Sequence, residues 1–529
     1  MASSQPSKSV PQINNFAFLD RSGTFVVAGF ALLAAAISLW YFYSHGWANI
    51  YGDGISRLNG TRKLLDWDYP DLWSRYLQIG TPWLPLPYFV MAPFVSIERL
   101  WRTGLAGSIV SGISFIITAI IVYKHSGLIY RSERNRYLFG LVSTLVFVLN
   151  PSMLYMQTTP MTESLFICTL ASSIYFLQKW AFNYQLKTLL ASAVCLGLAE
   201  LTRYEAWSLA PFAGLVVLLL SNRVGWRKAI DGAIWGSIVA AVWIYWFWHN
   251  WAISGNALEF YNGYYSAKMI YARQNVHPIT THSLLWTSIE GLGAVLSCAG
   301  VVATILSITG LGSFLVHNRR KLISYLPTFL YLFPLLFHLY SLYTGNIRVQ
   351  VFLGLENVRY GLPYLVPIAL FIPAVAYVYS RREIIPLMAT AGLILIGYIG
   401  IWADGIHSIK VFQEPYASNY INPEWQARYG VADYIAKHLP QGRTLLDVQA
   451  EGIVAPSGLR FRDLDYYLNE QWKPDSFSAL TNDKQMIVVQ DRSNLAAALR
   501  DPQVNQLFQQ VYSAGRETSF SVWQRKPGN

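Results

Sequence analysis

Apolar runs long enough to approach a bilayer crossing are separated along this chain by two alternating kinds of gap, and that alternation constrains the fold more than any single motif. Lys and Arg cluster in every second gap, whereas Asp53, Glu163, Arg203, Glu205 and Arg359 fall in the others. Cationic gaps in a multispanning protein mark the cytoplasm, because Lys and Arg are retained on that side during insertion. The remaining ionisable residues then converge on the opposite face, at one mouth of a helical bundle.

The composition agrees with a polytopic membrane protein. Of 529 residues, 53% are hydrophobic and only 13% charged, and several apolar runs approach the roughly 20 residues that span the hydrocarbon core. The net charge of +11 does not point to nucleic acid, since the cations sit in short clusters beside spans rather than along one basic face. Cys168, Cys195 and Cys298 all lie inside apolar runs, where cysteine behaves as a small hydrophobe.

The first run, about Phe25 to His45, is longer than the roughly 7 to 15 residues of a signal-peptide core and reads as a retained span after a cytoplasmic tail over 1–23. An outer loop follows over 46–103; Ile55, Leu58, Leu64 and Leu65 among its charges predict a helix lying at the interface. Further spans are expected at about Gly104 to Tyr123, from Tyr137 to Asn150-Pro151, and from Pro160 to Trp180. A fifth ends at Arg203, a sixth begins near Ala206 and a seventh covers about Ile230 to Ile253. An eighth ends at His317, and the last three cover about Tyr325 to Thr344, Leu362 to Tyr379 and Ile384 to Ala403. The inner gaps carry Lys124, Arg131, Arg134 and Arg136; Lys179 and Lys187; Arg223, Arg227 and Lys228; Arg319, Arg320 and Lys321; and Arg381 and Arg382. About eleven spans result, with the N-terminus inside and the C-terminus outside.

The expected architecture is therefore mostly α: a transmembrane bundle over 24–403 and a small soluble extracytoplasmic α/β domain over 404–529. In that domain Glu424 to His438, Asn494 to Leu499 and Val504 to Val511 have helical spacing. Thr444 to Val448, Met486 to Gln490 and Ser519 to Gln524 read as strands.

Each outer-face residue has a plain structural role and a chemical one. Asp53, in YGDGIS, could cap the interfacial helix or deprotonate an acceptor hydroxyl as a general base. Glu163, in QTTPMTES with Pro160 at the first helical position, could simply complement a helix dipole. It could equally orient an acceptor or help Asp53 hold a divalent cation. In LTRYEAW, Arg203 and Glu205 could pair with each other beside Tyr204; Arg203 in a partly dry cleft would instead bind phosphate through its planar fork. Arg359, in ENVRYGLPY with Asn357 and Tyr360, could snorkel to headgroups or contact a lipid phosphate. Glu205, Tyr204, Asn357, Tyr360 and Arg57 are supporting or acceptor-binding candidates. His277 and His282 lack metal-ligand spacing, and the absence of P-loop, GxGxxG and CxxC motifs argues against nucleotide hydrolysis or redox work.

With these residues placed, the chain resembles the GT-C superfamily of membrane glycosyltransferases, which includes protein O-mannosyltransferases and the aminoarabinose transferases that modify lipid A. The resemblance rests on YGDGIS, GTPWLPLPYFVMAPF, TPMTES, TRYEAW and RYGLP and covers about residues 20 to 405. It implies a sugar taken from a polyprenyl-phosphate carrier and passed to a lipid, glycan or protein acceptor at the outer face of a bacterial cytoplasmic membrane. By that resemblance Asp53 is the base, and Arg359 and Arg203 neutralise the leaving phosphate. The chain departs from the family in having one Asp where O-mannosyltransferases have an Asp-Glu pair, and in lacking the DxD of oligosaccharyltransferases.

The residues suit that chemistry by themselves. A phosphate leaving group needs charge stabilisation more than protonation, so one base and two arginines suffice. Direct displacement inverts the anomeric centre, whereas retention would want two carboxylates roughly 5 Å apart. A transporter or flippase would place ionisable groups near the bilayer midplane, and a glycan ligase or polymerase would share the same base and arginines but need a larger cleft.

Overall fold

A computed structural model describes residues 12–527, except 67–70, 132, 134, 274–277, 379–383, 468–482, 492 and 516–519. His277, Arg134, Arg381 and Arg382 lie outside the described residues. The molecule is mainly helical, and among the described residues seven helical segments are long and apolar enough to cross a membrane: Ser22–Ser44, Leu105–Ile129, Glu163–Asn183, Gly225–Ser254, Leu322–Tyr343, Val358–Val378 and Ile384–Ala403. The stretches expected as third, fifth and sixth spans form shorter helices, Arg136–Val148, Leu186–Glu200 and Glu205–Leu220.

The expected eighth span is bent. Leu284–Ala299 and Val301–His317 meet at 103°, and the hinge is Gly300 at φ +84, a left-handed conformation that residues with a Cβ seldom adopt. Across the described residues, the Val358–Val378 span is the most enclosed, with 89% of its apolar window buried. It is a 3₁₀ turn, one α segment and a second 3₁₀ turn in succession. Pro363, Pro367 and Pro373 each remove a backbone donor from that ladder.

Gly361, in the RYGLP run, lets this broken span lie against the Leu284–Ala299 helix. A Cβ there would sit 2.2 Å from the Ala294 carbonyl oxygen and 2.9 Å from Cys298 Sγ. Gly361→Ala should therefore destabilise the folded protein by about 1–3 kcal/mol through overpacking, read as a lower melting temperature in detergent. An unchanged melting temperature would mean the two helices can separate freely.

The C-terminal region carries a five-stranded sheet in the order β2-β1-β3-β5-β4. Its strands are β1 (Arg443–Asp447), β2 (Leu464–Tyr467), β3 (Lys484–Gln490), β4 (Phe508–Ala514) and β5 (Phe520–Arg525). The first three run parallel and β5 is antiparallel to both β3 and β4. The expected strands and the helix at Pro423–Lys437 are present, with two differences. The helix expected over Val504 to Val511 stops at Leu507, and the chain continues as β4, where pairing with β5 outweighs the local helical spacing. β2 went unread because its pattern, LDYY, is only four residues long.

This sheet shares its core with the segment over 46–103. Leu58, Met91, Val95 and Trp101 pack in one cluster with Val431, Ile435, Leu446 and Val522. Arg102 donates to the carbonyls of Ala455 and Gly458 at 2.8 and 3.1 Å, and Lys63 pairs with Glu451 at 2.9 Å.

Candidate active site

The interfacial helix expected from its apolar spacing spans Gly52–Asp66, with Ile55 and Leu58 buried and Leu65 exposed. Asp53 is in its first turn, not before it, so the plain capping role gives way to a side chain held from elsewhere. Close packing fixes this helix: a Cβ on Gly54 would lie 2.7 Å from Pro160 Cγ, and one on Gly60 2.6 Å from Tyr88. Pro160 precedes the Glu163–Asn183 helix, whose first residue is Glu163 itself. The first helical position expected for Pro160 therefore belongs to Glu163.

Asp53, Glu163, Arg203, Glu205 and Arg359 meet in one continuous network, although their sequence separations reach 306 residues. Arg359 is its centre. Its Nη2 donates to Asp53 Oδ2 at 2.9 Å, its Nε to Glu163 Oε1 at 3.0 Å and its Nη1 to Glu414 Oε1 at 3.2 Å. Arg203 donates from Nη1 to the same Glu163 oxygen at 2.7 Å and from Nε to Glu205 Oε1 at 2.8 Å. Tyr360 lies between the two arginines, 4.9 Å from the Arg203 guanidinium and 5.6 Å from that of Arg359. Cations on a ring face gain from its quadrupole, which helps hold two guanidinium groups close together.

Burial divides the carboxylates. The Glu163, Glu205 and Glu414 side chains are enclosed, whereas that of Asp53 is 44% exposed. Asp53 is thus the member that a substrate can reach. Between Asp53 and Glu163, where a shared divalent cation would sit, the Arg359 guanidinium bridges the two carboxylates. No group of three His, Cys, Asp or Glu with metal-binding geometry occurs among the described residues.

Other expected participants stand around this core. Tyr204 turns toward the interfacial segment, donating to the Pro82 carbonyl at 3.1 Å and accepting from Trp246 at 3.1 Å. Arg57 lies one turn beyond Asp53, its guanidinium 4.5 Å above the Trp83 ring, and its Nη1 is buried without a partner. Asn357 adopts φ +53 and turns the chain into the 3₁₀ segment bearing Arg359. His282, also at positive φ, donates its backbone N–H to the Tyr343 carbonyl at 2.8 Å, a loop role.

Two members were not read from the sequence. His338, inside the Leu322–Tyr343 span, approaches Glu205 Oε1 at 3.1 Å and Tyr364 Oη at 2.9 Å and stacks on Tyr360 with centroids 5.1 Å apart. An ionisable side chain within a span is itself a functional signal, so His338 was legible. Glu414 had no such signal, since it lies in a polar stretch beyond the last span.

The chain has the fold of solved ArnT and archaeal oligosaccharyltransferase structures. No family model matches the chain, and no curated protein matches it in sequence. Among solved structures it is similar to apo ArnT from Cupriavidus metallidurans, with a TM-score of 0.58 and 12% identity over 93% of this chain and 96% of that one. ArnT from the same organism bound to undecaprenyl phosphate gives 0.53 and 15% over 94% and 98%. The apo Archaeoglobus fulgidus oligosaccharyltransferase gives 0.52 and 9% over 96% and 75%.

Proposed function

We propose that this protein is an integral-membrane glycosyltransferase that moves a sugar from a polyprenyl-phosphate carrier to an acceptor hydroxyl at the outer face of the membrane. The observation that carries this reading is the exposed Asp53 carboxylate held on a buried guanidinium, Arg359. The eleven-crossing topology with an inner N-terminus, supported by the cationic gaps, puts this cluster and the 404–529 domain outside the bacterial cytoplasmic membrane. The similar ArnT structure with undecaprenyl phosphate supports a polyprenyl donor.

The mechanism uses the exchangeable Asp53–Arg359 pair. An incoming donor phosphate competes for Arg359 Nη2, and Asp53, the accessible partner, is released to face the acceptor. Asp53 takes the acceptor hydroxyl proton as that oxygen bonds the anomeric carbon. The bond from that carbon to the phosphate oxygen breaks, and polyprenyl phosphate leaves with the electron pair. Arg359 and Arg203 stabilise the charge that develops on it, a task for which planar, doubly donating groups are suited. Glu163 and Glu205 hold the two guanidinium groups in place, and Tyr204, Asn357, Tyr360 and Arg57 shape the surroundings. A single attacking step inverts the anomeric centre.

Mass spectrometry of envelope glycans and glycoproteins from a deletion strain tests this assignment. A missing hexose or pentose, restored by the intact gene but not by an Asp53→Asn copy, is expected. Glycans identical to those of the parent strain would contradict it.

A further inference from the structure

Glu414 belongs to the polar segment that leads from the last span into the outer domain, yet its side chain enters the site. Both of its oxygens are engaged with the start of the RYGLP segment: Oε1 accepts from the backbone N–H of Asn357 at 2.9 Å, and Oε2 from that of Val358 at 3.0 Å. Oε1 also receives Arg359 Nη1 at 3.2 Å. One carboxylate thus caps the first turn bearing Arg359 and grips the guanidinium that holds Asp53.

The flanking residues fix this carboxylate to the bundle. Val411 and Phe412 are fully buried, and the Val411 carbonyl accepts from Tyr51 Oη at 2.7 Å. Asn419 Nδ2 donates to the Ile50 carbonyl at 2.7 Å, just before the Asp53 helix. A Cβ on Gly52 would lie 3.4 Å from the Trp425 ring. The segment from 410 to 425 therefore holds both ends of the Asp53–Arg359 pair, one through Glu414 and the other through Asn419 and Trp425.

We propose that Glu414 is a positioning residue: by sharing Arg359 with Asp53 it sets how tightly the candidate base is held, and so couples the outer domain to the chemistry. This rests on the reading of Asp53 as base. Burial pushes the Glu414 carboxyl above its ordinary range, while Arg359 and the two backbone N–H groups pull it down. The groups facing it are Arg359 and Asp53, with the phenols of Tyr51 and Tyr155 and the Cys298 thiol, while Glu163 faces it across Arg359. With one carboxylate fewer around Arg359, the remaining ones keep a larger share of its charge.

The test is labelling of the whole protein in detergent with a hydrophobic carbodiimide at one fixed pH, followed by peptide mass spectrometry. In Glu414→Gln, where Arg359 holds Asp53 more tightly, labelling of Asp53 should slow several-fold. Glu414→Asp, which keeps the charge, should leave the rate in place. A purely packing role predicts the reverse ranking, with the shortened Asp the more disturbed and Gln close to the unsubstituted protein, and that result would overturn the proposal. If Glu414→Gln does not fold, Glu414→Asp decides alone: an unchanged rate is expected, and a changed one counts against charge sharing. Failure of the catalytic reading is distinguishable, since it would appear as sugar transfer by Asp53→Asn without altering the labelling result.

Discussion

Asp53→Asn should leave the protein folded and reduce sugar transfer by about 10²–10⁴-fold, the span that a positioned general base contributes. The side chain is 44% exposed, and asparagine matches its shape, so packing changes little. Its amide oxygen can still accept from Arg359 Nη2, whereas it cannot take a proton from an acceptor. The expected pattern is a loss in kcat with undecaprenyl phosphate binding at least as tight as in the unsubstituted protein, together with an unchanged melting temperature. Transfer at the unsubstituted rate would remove Asp53 as base.

Arg359→Ala should have the broader effect, on folding as well as on activity. The guanidinium is enclosed, and each of its three nitrogens bonds a carboxylate. Removing it leaves Glu163 and Glu414 buried with one cation fewer, a kind of break that costs about 3–5 kcal/mol. Donor affinity should fall too, because the proposed phosphate contact disappears. Arg359→Lys keeps the charge but can bond fewer of the three carboxylates at once, and should retain more stability than activity. A melting temperature for Arg359→Ala equal to that of the unsubstituted protein would show that the three carboxylates do not depend on it.

Charge placement made the site legible because it reports on insertion, which precedes folding. The gap rule grouped Asp53, Glu163, Arg203, Glu205 and Arg359, and the four fragments that carry them prove to share hydrogen bonds. What the rule lacks is pairing. Arg203 is joined to Glu205, two residues away, but also to Glu163, and no periodicity distinguishes those outcomes. Glu414 stayed hidden because it follows the last span in a polar stretch, where a carboxylate is unremarked until packing buries it.

Span geometry was legible where apolar length alone decides it. Ile384–Ala403 and Leu105–Ile129 lie where hydropathy puts them. The eighth span fails at Gly300, where one residue at positive φ converts a continuous run into a sharp bend. The third, fifth and sixth stretches form helices of 13, 15 and 16 residues, because the neighbouring residues are used for turns and for the site. In the C-terminal region the three expected strands correspond to β1, β3 and β5, while β4 depended on a partner, β5, that lies beyond it in the chain.

Transfer of sugar from polyprenyl phosphate by the proposed Asp53–Arg359 site is tested most directly with purified protein in lipid vesicles. The substrates are a panel of undecaprenyl-phosphate hexoses and pentoses with envelope extract as acceptor, and the readout is release of undecaprenyl phosphate. Acceptor-dependent release from one of the panel, lost in Asp53→Asn, is the predicted result; release that is equal in the two proteins would contradict the account.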